Sequence, residues 1–189
     1  MEIATKETVS GVRDAASGCQ SESGCSSKLK ILVIDDEPAN AELLEAVLAD
    51  KGYEDVKAIT DSRLALEVCR TFEPDLVLLD LMMPHVDGLT ILEALRSEPD
   101  GASLPVIVLT ADETKETRLR VLSAGATDFM LKPFDLAEAL LRIENLLGLR
   151  WRQVQLDNQR AALEDALQVR TLELREAQSN LEKLTGSIR

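Results

Sequence analysis

Five short runs of apolar residues recur along this chain. Each is closed by a polar residue and followed by a stretch of helical periodicity, and that alternation leaves few folds open. The runs are Ile31-Leu32-Val33-Ile34, Val56-Lys57-Ala58-Ile59, Leu76-Val77-Leu78-Leu79, Val106-Ile107-Val108-Leu109 and Phe129-Met130-Leu131. Most show no polar alternation, as expected of strands buried on both faces. Between them, apolar residues return at helical spacing. Leu43, Leu44, Val47 and Leu48 predict a first helix closed by Gly52. Asp61 predicts a cap for a helix carrying Leu64, Ala65, Val68 and Phe72. Leu89, Leu92 and Leu95 mark a third helix, a more polar fourth spans about 114–124 before Gly125, and a fifth starts near Asp135.

Strands alternating with helices predict a parallel sheet with helices on both faces. For a body this size the expected class is α/β, a flavodoxin-like (βα)5 doubly wound sheet of order 2-1-3-4-5. The expected domains are a disordered tail over 1–27, the α/β body over 28–147, and a long coiled-coil helix over 148–189. The tail is rich in Ser, Gly and Glu and shows no period.

Composition narrows the function. The net charge is −13, and from Leu147 onward seven basic residues face six acidic ones, so the negative charge belongs to the front part. An acidic body argues against direct nucleic-acid binding. Three cysteines, Cys19, Cys25 and Cys69, form no disulfide framework, and the single His85 has no nearby cysteine with which to hold zinc. Cys69, on an apolar helix face, is expected in the core, and His85 in an exposed loop. No apolar run approaches a membrane span and the N-terminus has no apolar signal core, so the expected location is cytoplasmic, without membrane insertion.

In a sheet of order 2-1-3-4-5, the carboxyl ends of strands one, three, four and five lie side by side. They carry Asp35 and Asp36, then Asp80, then Thr110, and finally Lys132. Crowded carboxylates raise each other's pKa, and a divalent cation relieves the repulsion. Oxygen ligands favour Mg²⁺, which leaves room for a phosphoryl oxygen. Lys132 supplies a charge for a phosphate oxygen and Thr110 a hydroxyl donor. A carboxylate can act as the nucleophile of phosphoryl transfer.

These motifs resemble the receiver domain of two-component response regulators over Lys30 to about Leu147. The matching stretches are Ile31-Leu32-Val33-Ile34-Asp35-Asp36-Glu37, Pro74-Asp75-Leu76-Val77-Leu78-Leu79-Asp80-Leu81-Met82-Met83-Pro84 with Asp87-Gly88, Pro105-Val106-Ile107-Val108-Leu109-Thr110-Ala111, and Gly125-Ala126-Thr127-Asp128-Phe129-Met130-Leu131-Lys132-Pro133-Phe134. The resemblance implies that Asp80 is the phosphoacceptor. It implies a Mg²⁺ site made by Asp35, Asp36, Asp80 and the Met82 backbone carbonyl, with Asp36 binding directly and Asp35 mainly through water. Thr110 and Phe129 match the switch pair, and Lys132 the phosphate-holding lysine. The implied phosphodonor is a histidine kinase or phosphotransfer protein, and self-phosphorylation and self-dephosphorylation at Asp80 are the only chemistry expected. A haloacid-dehalogenase-type phosphatase would need a second Asp where Met82 stands.

Beyond Gly148, the residues Leu149, Leu156, Leu163, Leu167, Leu174, Ala177, Leu181, Leu184 and Ile188 recur in a 4-3 pattern, with Gln153, Arg160 and Arg170 on the same seam. This predicts a parallel coiled-coil homodimer through 149–188. The segment from Arg170 to Gln178 resembles the connector of cyclic-di-GMP response regulators. Neither a His-Asp metal pair nor a Gly-Gly-Asp/Glu-Glu-Phe loop accompanies it. The expected function is therefore a receiver that passes its signal through the fourth helix, fifth strand and fifth helix to the coiled coil. The alternatives are a scaffold with a silent receiver, or the input half of a cyclic-di-GMP cyclase or phosphodiesterase.

Overall fold

The computed structural model describes residues 29–99 and 101–186, with side chains to residue 176. The expected tail over 1–27, Cys19, Cys25 and the C-terminal end of the seam lie outside these side chains. The strands are β1 (Lys30–Ile34), β2 (Asp55–Ile59), β3 (Leu76–Asp80), β4 (Val106–Thr110) and β5 (Asp128–Leu131). The helices are α1 (Pro38–Asp50), α2 (Ala65–Phe72), α3 (Gly88–Ser97), α4 (Lys115–Ser123) and α5 (Leu136–Gly186). All strand pairs are parallel and the order is β2-β1-β3-β4-β5, as expected.

Strand alternation builds two cores on one sheet. Leu32, Ile34, Val77, Leu79, Val106 and Val108 face α2, α3 and Val121 of α4. Ile31, Val33, Leu76, Leu78, Ile107 and Leu109 face α1 and the Ala139, Ile143 and Leu147 stripe of α5. The three central strands are buried throughout, apart from Lys30, because helices cover both faces. Cys69 lies in the first core and His85 is exposed, both as expected.

One local reading differs. Asp61 caps a short 3-10 turn, Ser62–Leu64, rather than α2 itself, and its side chain accepts the Arg63 amide. Within that turn Ser62 is buried and engaged by a distant loop, and Leu64 is exposed. Leu43 is also exposed, because the packed stripe of α1 is set by Ala41, Leu44 and Leu48. Beyond Leu147, α5 continues without a break, and Leu149, Leu156, Leu163, Leu167 and Leu174 are between 56% and 66% exposed. Among the described residues, no helix is long and apolar enough to cross a membrane.

Gly88 opens α3 directly against the end of β3. A Cβ built there would meet the Asp80 carbonyl oxygen at 2.1 Å and the Leu81 Cα at 2.9 Å. Gly88→Ala should therefore force the backbone of Asp80 to move, with an expected loss of about 1–3 kcal/mol. Urea denaturation measures it, and an unchanged midpoint would show that the loop gives way freely.

Candidate functional site

The polar cluster forms because four strands end together while their interiors are apolar. Asp35 follows β1, Asp80 ends β3, Thr110 ends β4 and Lys132 follows β5. Asp35 is 0% exposed, Thr110 2% and Asp80 6%. Burial of such groups requires partners, and the structure supplies them. The Lys132 ammonium lies 2.6 Å from Asp35 Oδ2 and 3.1 Å from Asp80 Oδ2. Asp35 Oδ1 also accepts the Glu37 amide at 3.1 Å and the Asn40 side-chain amide at 3.3 Å.

Asp36, half-buried, completes the acidic group. One ligand oxygen from each of Asp35, Asp36 and Asp80 falls within 4.8 Å of the others. Three carboxylates facing one ammonium leave two negative charges in excess. An all-oxygen donor set with that excess fits a hard divalent cation of the Mg²⁺ type.

Burial pushes the Asp80 carboxyl above its ordinary range. The charge and hydrogen bond of Lys132 pull it back, the Asp35 charge pushes it further up, and the Met82 amide, which donates to the Asp80 carboxylate, lowers it. Met82 presents that amide while its side chain is exposed.

The structure thus brings Asp35, Asp36, Asp80 and Lys132 into one cluster. Thr110 stands beside them, one residue past Leu109, the register partner of Asp80. Its Oγ1 accepts the Asp112 amide at 3.0 Å. Phe129 lies farther back on β5, half-buried, with the Arg118 guanidinium 4.5 Å from its ring centroid. The Lys132–Pro133 peptide bond is cis.

Several supporting residues escaped the sequence reading. Ser62 donates to Pro84 O at 2.6 Å and accepts the Val86 amide at 3.2 Å, pinning the loop that follows Asp80. Asn40 steadies Asp35, and the Asp112 carboxylate accepts the Thr114 amide and the Thr117 hydroxyl. Only an Asn early in α1 and an Asp two residues past Thr110 hinted at these roles.

Comparison with known proteins agrees with this fold. The family model for the response regulator receiver domain matches residues 31–144. The response regulator MprA of Mycolicibacterium vanbaalenii is 44% identical over 119 residues, 63% of this chain and 50% of that protein. The probable transcriptional regulatory protein TcrX of Mycobacterium tuberculosis is 41% identical over 117 residues, 62% of this chain and 49% of that protein. This chain therefore spans about half the length of these relatives. Among solved structures, the receiver domain of the sensor histidine kinase PA1611 from Pseudomonas aeruginosa PAO1 superposes with a TM-score of 0.58 at 31% identity. The match covers 64% of this chain and 98% of that one, and that structure holds a magnesium ion in its active-site cleft.

The raised pKa of Asp80 sets a sign. The folded state holds the Asp80 proton more tightly than the unfolded state does. Stability therefore falls as pH rises from the unfolded pKa through the folded one, and the ionised carboxylate opposes folding at neutral pH. Asp80→Asn should raise the thermal midpoint at neutral pH by a few degrees in the presence of chelator. The gap to the parent should close as pH is lowered until Asp80 is protonated in both states. Calorimetry across pH measures this, and a gap that widens in acid would contradict it.

Proposed function

The chain belongs to the response regulator receiver family of two-component systems, and from that premise we propose that Asp80 is its phosphoacceptor. The observation that carries the proposal is the convergence of Asp35, Asp36, Asp80 and Lys132 at the strand ends. An Asp80 carboxylate oxygen attacks the phosphorus of a phosphohistidine on a histidine kinase or phosphotransfer protein. The P–N bond breaks, the imidazole leaves with the electron pair, and an aspartyl phosphate forms. Asp36, Asp80 and the Met82 carbonyl would hold Mg²⁺, with Asp35 acting mainly through water, and the ion would offset charge on the transferring phosphoryl oxygens. Lys132 reaches the same oxygens as a point charge, and Thr110 turns its hydroxyl toward them.

Thr110 and Phe129 then act as a switch, and the surface formed by α4, β5 and α5 carries the change into the long helix. The exposed Leu149, Leu156, Leu163, Leu167 and Leu174 favour a parallel pairing of that helix with a second copy.

Incubation with Mg²⁺ and acetyl phosphate should add one phosphoryl group by intact mass. Asp80→Asn and chelator should each abolish the gain, and a gain that survives Asp80→Asn would reject the site. The nucleophile must be ionised, so the rate should fall once the pH is low enough to protonate Asp80. Separately, light scattering after gel filtration should give twice the chain mass. Leu156→Glu with Leu163→Glu should return a monomer that still accepts phosphate, whereas a monomeric parent chain would refute the pairing.

A further inference from the structure

β4 and β5 run side by side with Val108 opposite Phe129 and Thr110 opposite Leu131. Side chains alternate along a strand, so Thr110 and Phe129 share the face that carries Val106 and Val108. The first turn of α4 is tied to both residues. At one end, the Asp112 amide donates to Thr110 Oγ1 at 3.0 Å. The Asp112 carboxylate in turn accepts the Thr114 amide at 2.8 Å and the Thr117 hydroxyl at 2.6 Å. At the other end is Arg118, whose amide donates to Thr114 O at 3.2 Å and whose guanidinium sits 4.5 Å from the Phe129 centroid.

We infer that Asp112 and Arg118 are positioning residues that couple the two halves of the switch, so that the direction of the Thr110 hydroxyl sets the hold of Arg118 on the Phe129 ring. The inference rests on the reading of Asp80 as phosphoacceptor and of Thr110 and Phe129 as the switch pair. A Thr110 hydroxyl that rotates toward a phosphoryl oxygen on Asp80 leaves the Asp112 amide. Asp112 is then freed from the end of β4 but keeps its bonds to Thr114 and Thr117, and it moves with the first turn of α4. Arg118 belongs to that turn. Cation–π attraction fades beyond about 6 Å from the ring centroid, so a modest shift from 4.5 Å releases Phe129. In the resting protein the same contacts oppose activation, because Arg118 favours the ring position that activation abandons.

The test uses the full chain labelled with 4-fluorophenylalanine. Its three rings, Phe72, Phe129 and Phe134, are assigned by single Phe→Leu substitutions. Beryllofluoride with Mg²⁺ serves as the phosphoryl mimic. In the parent protein the Phe129 fluorine resonance should move on titration. In Arg118→Ala the resting resonance should already be displaced toward the activated position. The beryllofluoride concentration for half-saturation should fall roughly two- to five-fold, matching the strength of an exposed cation–π contact. Arg118→Lys should keep most of the parent behaviour. Asp112→Ala and the milder Thr117→Val should shift the resonance in the same direction, and combining Asp112→Ala with Arg118→Ala should add little to either alone. Additive effects, or an Arg118→Ala protein matching the parent in both readouts, would overturn the coupling. A parent protein that gains phosphate on Asp80 while its Phe129 resonance stays still would overturn it too and leave the phosphoacceptor reading intact. A parent that gains no phosphate would overturn both.

Discussion

A single ammonium held between two buried carboxylates organises the functional end of this molecule. Lys132 reaches Asp35 and Asp80 together, and both acids are almost wholly removed from water. An unpaired buried charge costs several kcal/mol, and the ammonium offsets that cost for both carboxylates. The pairing spans the sheet, because Asp35 follows β1, Asp80 ends β3 and Lys132 follows β5. It therefore locks three strand ends in mutual position. It also leaves the cluster negative, so the site is organised and electrostatically unsatisfied at once. Those two conditions favour capture of a cation and then of a phosphoryl group.

The rest of the fold serves that arrangement from a distance. Apolar strands covered on both faces fix the register that aligns the strand ends. Gly88 permits α3 to approach the Asp80 carbonyl more closely than any side chain would allow. Ser62, from the turn before α2, holds the Pro84 carbonyl and the Val86 amide. Within that loop His85 adopts a left-handed backbone, φ 72°, a conformation that non-glycine residues adopt at some cost. The loop after Asp80 is thus clamped from two directions, which suits a segment whose Met82 amide contacts the Asp80 carboxylate.

The sheet and most of the cluster were legible in the sequence. Uninterrupted apolar runs in alternation with helices admit one main architecture, and that architecture dictates which strand ends are neighbours. Asp35, Asp36, Asp80, Thr110 and Lys132 could therefore be read from topology alone. Ser62, Asn40, Asp112 and Arg118 could not. Each owes its role to a contact outside the pattern of periodicity, and a serine in a turn or an arginine on a polar helix carries no signal of its distant partner. Leu43 and Leu64 recur at helical spacing and are nonetheless exposed. Helical spacing shows that a residue can face the core, and packing decides which of several candidates does so.

The length of α5 has a mechanical consequence. Its first turns are anchored under the sheet by Ala139, Ile143 and Leu147, and the same helix continues to Gly186. At about 1.5 Å of rise per residue, the part beyond Leu147 reaches nearly 60 Å. A rod of that length turns angle into travel. A tilt of about 5° at the anchored end sweeps the far end through about 5 Å, comparable to a full helical turn. Rearrangements too small to alter the sheet can thus reposition whatever the far end touches.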